Sequence, residues 1–427
     1  MPLPRMLEVR QHFPDRAIKD IPAAVAAELQ RSQMATKLAP GSRVAIGVGS
    51  RGIANIATIV RAVVDFWKAA GMQPFLFPAM GSHGAATPAG QTMVLSKYDI
   101  TEATMGCPLV SQLEVVSLGQ TPEGITAYLD KAAYDSAGIM LIGRVKWHTD
   151  FAGAIESGLY KMMAIGLGKF AGAQYYHTFA YNMGMEKMIR SVGRQVLASG
   201  KILGGLAILE DPNHATAQLT AVPVETMEQQ EEQLLALAKS WMGKIPVPEL
   251  DILILDEIGK EISGAGMDTK VVNRGVHGEY NPWPGAPKIH RIFVRDLSPK
   301  TYGSAVGMGM ADVINSRILP QTDWAPTAIN SLTASSPAAI RTPVHWDTDR
   351  ECVERFLPTV GKHDLSQVTI ARIHNTLVLT HLEMSENLRP QIEANPQLEI
   401  IGDAFAFPLD EAGQMLPLRG YQPGGHH

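Results

Sequence analysis

The sequence predicts an α/β protein built from two mixed α/β domains. Three observations predict it. Short β-branched runs end in glycine-rich loops and lead into stretches of helical period. This unit recurs along the first half of the chain, and recurring strand, loop and helix favour a parallel sheet. A proline-rich segment, Lys244-Ile245-Pro246-Val247-Pro248-Glu249, then separates it from a second alternating region.

Arg43 to Val48 reads as the first strand, running into Gly49-Ser50-Arg51-Gly52, with a helical pattern from Ile53 to Ala70. Pro74 to Pro78 is the next strand, Gly81-Ser82-His83-Gly84 a tight loop, and Pro88 to Lys97 a helix that starts on proline. Further strands are expected at Leu113 to Leu118, Gly138 to Ile142 and Ile202 to Leu209, with helices at Met183 to Ala198 and Val224 to Met242. Residues 1 to 245 are therefore grouped as one domain. Beyond the linker, Leu250 to Leu255 is a strand, Asp347 to Leu357 a helix, and Val368 to Ile373 and Thr376 to Leu382 flank a turn at His374-Asn375. Residues 246 to 427 form the second domain. Two such domains place a cleft between them, the usual seat of a cofactor and a small substrate.

Composition excludes several classes. With 427 residues, 45% apolar and 19% charged, the chain can bury substantial cores, which argues against disorder. The net charge of -5 is dispersed, without the basic patch of a nucleic-acid binder. Cys107 and Cys352 are too far apart and too few for a disulfide framework or a thiolate zinc site. The segment Met1 to Asp20 lacks the apolar stretch of a signal peptide, and no run is long enough to span a bilayer, so a cytoplasmic protein is expected.

The candidate chemistry sits in the loops, because ligands of open α/β sheets bind at the carboxyl ends of the strands. Arg51 offers a planar fork for a carboxylate or phosphate, or is a surface arginine. His83, between small residues, presents an imidazole to a ligand, or is a solvated loop histidine. His148, in Trp147-His148-Thr149-Asp150-Phe151-Ala152-Gly153, lies just past a strand, where an acid/base group belongs. Lys161, in Gly158-Leu159-Tyr160-Lys161-Met162-Met163, is a lone cation in apolar surroundings, which suits a nucleophilic or covalent role as well as a snorkelling side chain. His177 has no neighbour that would complete a local metal motif. In the second domain, Lys260 and Lys270 follow a strand in a glycine-containing stretch, and Lys260 is the candidate for a substrate carboxylate.

The ordered set resembles the nickel-dependent lactate racemase family. It comprises the strand-loop Arg51, the Gly-Ser-His loop at His83, His-x-x-Phe-Ala-Gly from His148, Gly-x-x-Lys ending at Lys161, and His177 sixteen residues later. The likeness covers residues 40 to 180. It implies Lys161 as the covalent attachment point of a nickel-pincer nucleotide, a pyridinium mononucleotide whose two sulfurs and one ring carbon hold nickel. It further implies His177 as nickel ligand, Ser82 beside the cofactor, His83 and His148 as the acid/base pair, and Arg51 at the substrate. A small 2-hydroxy acid would be inverted at C2 by hydride abstraction and return, and cofactor-maturation proteins would be partners. Ser82-His83-Gly84-Ala85 stands where the lactate enzymes have Thr-His-Arg-Pro, and Gly158-Leu159-Tyr160-Lys161-Met162 where they have Gly-Gly-Arg-Lys-Ser. These departures point away from lactate, towards a larger substrate such as an aldonate. Two rivals stand beside this reading. A nicotinamide-dependent hydroxyacid oxidoreductase lacks its G-x-G-x-x-G fingerprint here, and a cofactor-free carboxylate- or nucleotide-binding protein would carry a bare Lys161.

Overall fold

The computed structural model describes residues 3–49 and 52–422. The chain divides into two compact units, one of Asp15–Met242 and one that combines the segment ending at Pro14 with Gly243 onward. The chain's first strand, β1 (Met6–Gln11), therefore belongs to the later unit.

The unit Asp15–Met242 runs α1 (Ile21–Ser32), β2 (Arg43–Val48), α2 (Ile56–Ala69), β3 (Gln73–Pro78) and α3 (Pro88–Ser96). A hairpin of β4 (Val115–Gln120) and β5 (Thr126–Asp130) follows, then β6 (Gly138–Arg144), α4 (Lys169–Met183) and α5 (Met185–Ala198). It ends with β7 (Ile202–Glu210), β8 (Thr216–Pro223) and α6 (Met227–Trp241). The main sheet has the order β3-β2-β6-β7-β8 and is parallel except for β8. Successive side chains alternate between two cores. Val44, Ile46, Met140 and Ile142 enter one with Val60 and Trp67, while Ala45, Ile139 and Leu141 enter the other with Tyr160, Ile189 and Leu235. Burial on both faces is why β2 and β6 read as continuous apolar runs. Helix α2 buries Ile56, Ile59, Val60, Val63, Val64 and Trp67, the i, i+3, i+4 stripe of a helix lying on a sheet.

The other unit has one sheet of eight strands. They are β1, β9 (Glu249–Ile258), β10 (Lys288–Leu297), β11 (Val313–Asn315), β12 (Val344–Trp346), β13 (Ile370–Asn375), β14 (Val378–Ser385) and β15 (Leu398–Phe405), in the order β12-β11-β10-β9-β13-β14-β1-β15. The first five in this order are parallel and the remaining pairings antiparallel, so this unit is mixed α/β as well. Strand β1 lies between β14 and β15, with Val9 opposite both Leu382 and Ile400. Residues up to Pro14 thus group with the second unit, not with the rest of 1 to 245. The six-residue strand carries no local sign of partners so distant in sequence.

A buried ionic network crosses this sheet. Arg372 is fully buried and donates from Nε and Nη2 to the two carboxylate oxygens of Asp256, at 2.7 and 3.0 Å, and from Nη1 to Glu383 at 2.9 Å. Arg295 donates to the same Asp256 at 2.7 Å and to Asp349 at 2.8 Å. Among the described residues, no helix is long and apolar enough to cross a membrane.

Candidate functional site

The carboxyl ends of β2, β3 and β6 carry three of the sequence-predicted loops. Arg51, in the loop after β2, lies outside the described residues. His148 follows β6 on an excursion closed by backbone hydrogen bonds in both directions between Lys146 and Ser157. A buried carboxylate fastens it: Glu156 accepts the backbone N–H of His148 at 2.5 Å and that of Gly153 at 2.9 Å, and pairs with Lys239 at 2.6 Å. Lys239 also donates to the Gly153 carbonyl at 2.8 Å. The His148 ring packs against Phe151, tilted by 33° with centroids 4.4 Å apart.

The ring's two nitrogens have different neighbours. The Asp150 N–H donates to Nδ1 at 3.0 Å, and Nε2 lies 2.5 Å from Lys161 Nζ. The imidazole and the amine are thus placed to share or exchange a proton.

Lys161 ends a short helical turn, Leu159–Lys161, that continues as a π-helical turn over Met162–Gly166. Such turns are irregularities often found at functional sites. His177 lies on the following helix, α4. Surrounding protein mass, and then the charge Lys161 carries when protonated, push the His177 pKa below its ordinary value, with Asp150 opposing. Both main causes favour the neutral imidazole that a metal requires.

Beneath Lys161, fully buried Glu231 from α6 accepts the Tyr160 N–H at 3.0 Å. A Cβ on Gly158 would lie 2.3 Å from its Oε1, so this position admits only glycine without rearrangement. Burial raises the Glu231 carboxyl to about 7. Because the folded value exceeds the ordinary 4.5, its stabilising contribution is full below that value and is lost as pH rises through 7. Wild-type stability is expected to fall by about 3 kcal/mol from this group between pH 5 and 8. Glu231→Gln should flatten that slope in urea unfolding, and an unchanged slope would refute the assignment.

His83 follows β3 on a half-buried loop, with Ser82 exposed beside it. Two non-glycine residues just after it, Ala85 and Ala86, adopt positive φ of 54° and 52°. This sparsely populated backbone is held by surrounding contacts, as is common at functional sites. Gln91 of α3 donates from Nε2 to the carbonyls of Met80 and Gly81, at 3.2 and 3.1 Å. A Cβ on Gly81 would lie 2.8 Å from Ala173 Cβ of α4, so the His83 loop packs directly on the helix that carries His177.

No protein-family model and no curated protein sequence matches the chain. Solved structures do. The chain is similar to the crystal structure of a protein from Thermotoga maritima, with a TM-score of 0.50 and 12% identity over 70% of this chain and 74% of that one. It is also similar to the lactate racemase apoprotein from Thermoanaerobacterium thermosaccharolyticum, with a TM-score of 0.47 and 14% identity over 86% and 92%. At such identities the first likeness extends to the α/β fold and no further, and the second is weaker still.

The structure thus brings His148 and Lys161 into contact, with His177 in electrostatic reach of the lysine. Lys260 belongs to the other unit, where its Nζ donates to Asn330 at 3.1 Å. Buried Lys270 stands 2.8 Å from the centroid of the Trp283 ring. Glu156 and Glu231, which shape the site from below, were not singled out from the sequence. Both accept from backbone N–H groups, which leave no residue-type signal, and the one side-chain partner described, Lys239 of Glu156, lies 83 residues on.

Proposed function

We propose that the protein is a racemase or epimerase that inverts C2 of a small 2-hydroxy acid, using a nickel-pincer nucleotide attached to Lys161. The observation that carries this reading is the 2.5 Å contact between Lys161 Nζ and His148 Nε2, a nucleophilic amine meeting a proton carrier at the end of a parallel strand. The donor set suits the group. Lys161 offers an amine for a thioamide link, and His177 a neutral imidazole. Among the described residues, no three His, Cys, Asp or Glu side chains converge on a metal. Nickel that arrives with its other donors needs only one histidine from the chain.

Bound there, the group would supply a hydride acceptor for C2. The chain's own residues then handle the proton and the carboxylate. In the bare chain, Lys161 occupies His148 Nε2. A thioamide nitrogen has no basic lone pair, so attachment would take the amine away from His148 and leave its ring to exchange a proton with the substrate's hydroxyl oxygen. His83 performs the same transfer for the opposite enantiomer, and Arg51 holds the carboxylate while the planar keto acid turns. Ser82 would help to hold the group. Replacing His148 or His83 with alanine is expected to lower turnover of both enantiomers by about 10²-fold or more. Intact mass should show the Lys161 adduct retained, and full turnover in both variants would overturn the acid/base assignment.

A further inference from the structure

We infer that Lys169 is a positioning residue that holds the His83 loop in register with the helix bearing His177. The inference takes from the proposed function only which residues are positioned. Lys169 is fully buried, at the first residue of α4, and its backbone adopts a positive φ of 54°. Its ammonium donates to the Pro78 carbonyl at 2.8 Å, at the end of β3, and to Gln91 Oε1 at 2.7 Å. Gln91 in turn donates to the Met80 and Gly81 carbonyls, three and two residues before His83. Asp130 stands 3.7 Å from the ammonium, and its own N–H donates to the Leu167 carbonyl at 2.7 Å, just ahead of α4. One side chain therefore joins the ends of β3 and β5, helix α3 and the start of α4. Gly81 against Ala173, and Gly166 with the Ala79 carbonyl 2.8 Å from where its Cβ would stand, let the same segments touch.

Stability alone does not account for this arrangement. A buried ion pair exchanged as a whole for apolar or neutral groups often leaves stability unchanged or improved. Here the ammonium is desolvated, its carboxylate partner is not at hydrogen-bond distance, and the backbone beneath it is in the left-handed region. Burial pushes the Lys169 pKa down and the Asp130 pKa up, each opposed by the partner's charge. What the group provides is geometry: two directed N–H donors that set the loop against the helix.

The test uses the full chain with isotope-labelled histidine side chains, followed by NMR across pH. Asp130→Asn combined with Lys169→Met removes the pair without leaving a lone buried charge. The His83 and His177 signals are expected to broaden or move while those of exposed His214 and of His12, in the other unit, stay in place. Gln91→Met, a milder change, is expected to disturb His83 and spare His177. Unmoved His83 and His177 signals in the double variant would overturn the inference, as would a uniform disturbance of all four histidines. In protein loaded with cofactor, kcat in the double variant should fall at least about tenfold with the Lys161 adduct intact. Wild-type protein that takes no adduct would defeat the proposed function, while the NMR outcome would still judge Lys169.

Discussion

Lys161→Ala protein, expressed beside the cofactor-building enzymes, is expected to show only the mass of its own polypeptide, to retain no stoichiometric nickel, and to have no measurable racemisation. The wild type prepared in parallel should carry a single adduct that maps to Lys161. The expected loss of rate is at least about 10⁴-fold, because without a hydride acceptor the inert C2–H bond has no route to cleavage through imidazole chemistry alone. Lys161→Arg sharpens the result. It keeps a long cationic side chain yet cannot be acylated under the same conditions, so it should also lack the adduct. An adduct of unchanged mass in either variant would move the attachment point elsewhere. A wild type that stays bare beside a positive control that loads would favour a binding protein over an enzyme.

The second large effect is expected in the other unit. Arg372→Met should destabilise the unit built on the eight-stranded sheet by about 3 to 5 kcal/mol, the usual consequence of removing one partner from a buried ionic cluster. Three strands meet at this guanidinium. Asp256 on β9 and Glu383 on β14 both lean on it from either side of β13, and Glu383 is fully buried. Asp256 keeps Arg295, but Glu383 loses its ionic partner and must take up a proton or tolerate a desolvated charge. Urea unfolding at pH 7 measures the effect, and a loss below about 1 kcal/mol would show that the cluster is dispensable.

Much of the scaffold was legible because its signals are local. The runs at Arg43–Val48 and Gly138–Arg144 announce buried parallel strands, and the periodic apolar residues of Ile56–Ala69 announce the helix that covers them. His148 and Lys161 could be nominated because their types and spacing resemble a known set. What holds them could not. Glu156, Glu231, Lys169 and Gln91 act largely through backbone carbonyls and N–H groups, some local and some, as for Glu231 and Lys169, brought together from distant segments, and no pattern in the sequence marks such contacts. The helix over Lys169–Met183 was missed for a related reason. Its composition, with Gly172 and the polar-tipped Tyr175-Tyr176-His177, shows no clean apolar stripe, and its place is set by packing around Tyr176 and Ala173.

The position of β1 bears on how the protein is made. Met6–Gln11 leaves the ribosome long before the two strands that flank it, both of which come from beyond residue 377. The ribbon must therefore wait, unpaired, while the 228 residues of Asp15–Met242 emerge and can fold as an inserted module. Closing that gap is a contact of very long sequence separation, the kind that slows folding and leaves a sticky edge exposed to neighbouring chains. Cutting the gene at residue 243 would accordingly give a carboxyl-terminal fragment with a slot between β14 and β15. A synthetic peptide of the first fourteen residues could be asked to fill it.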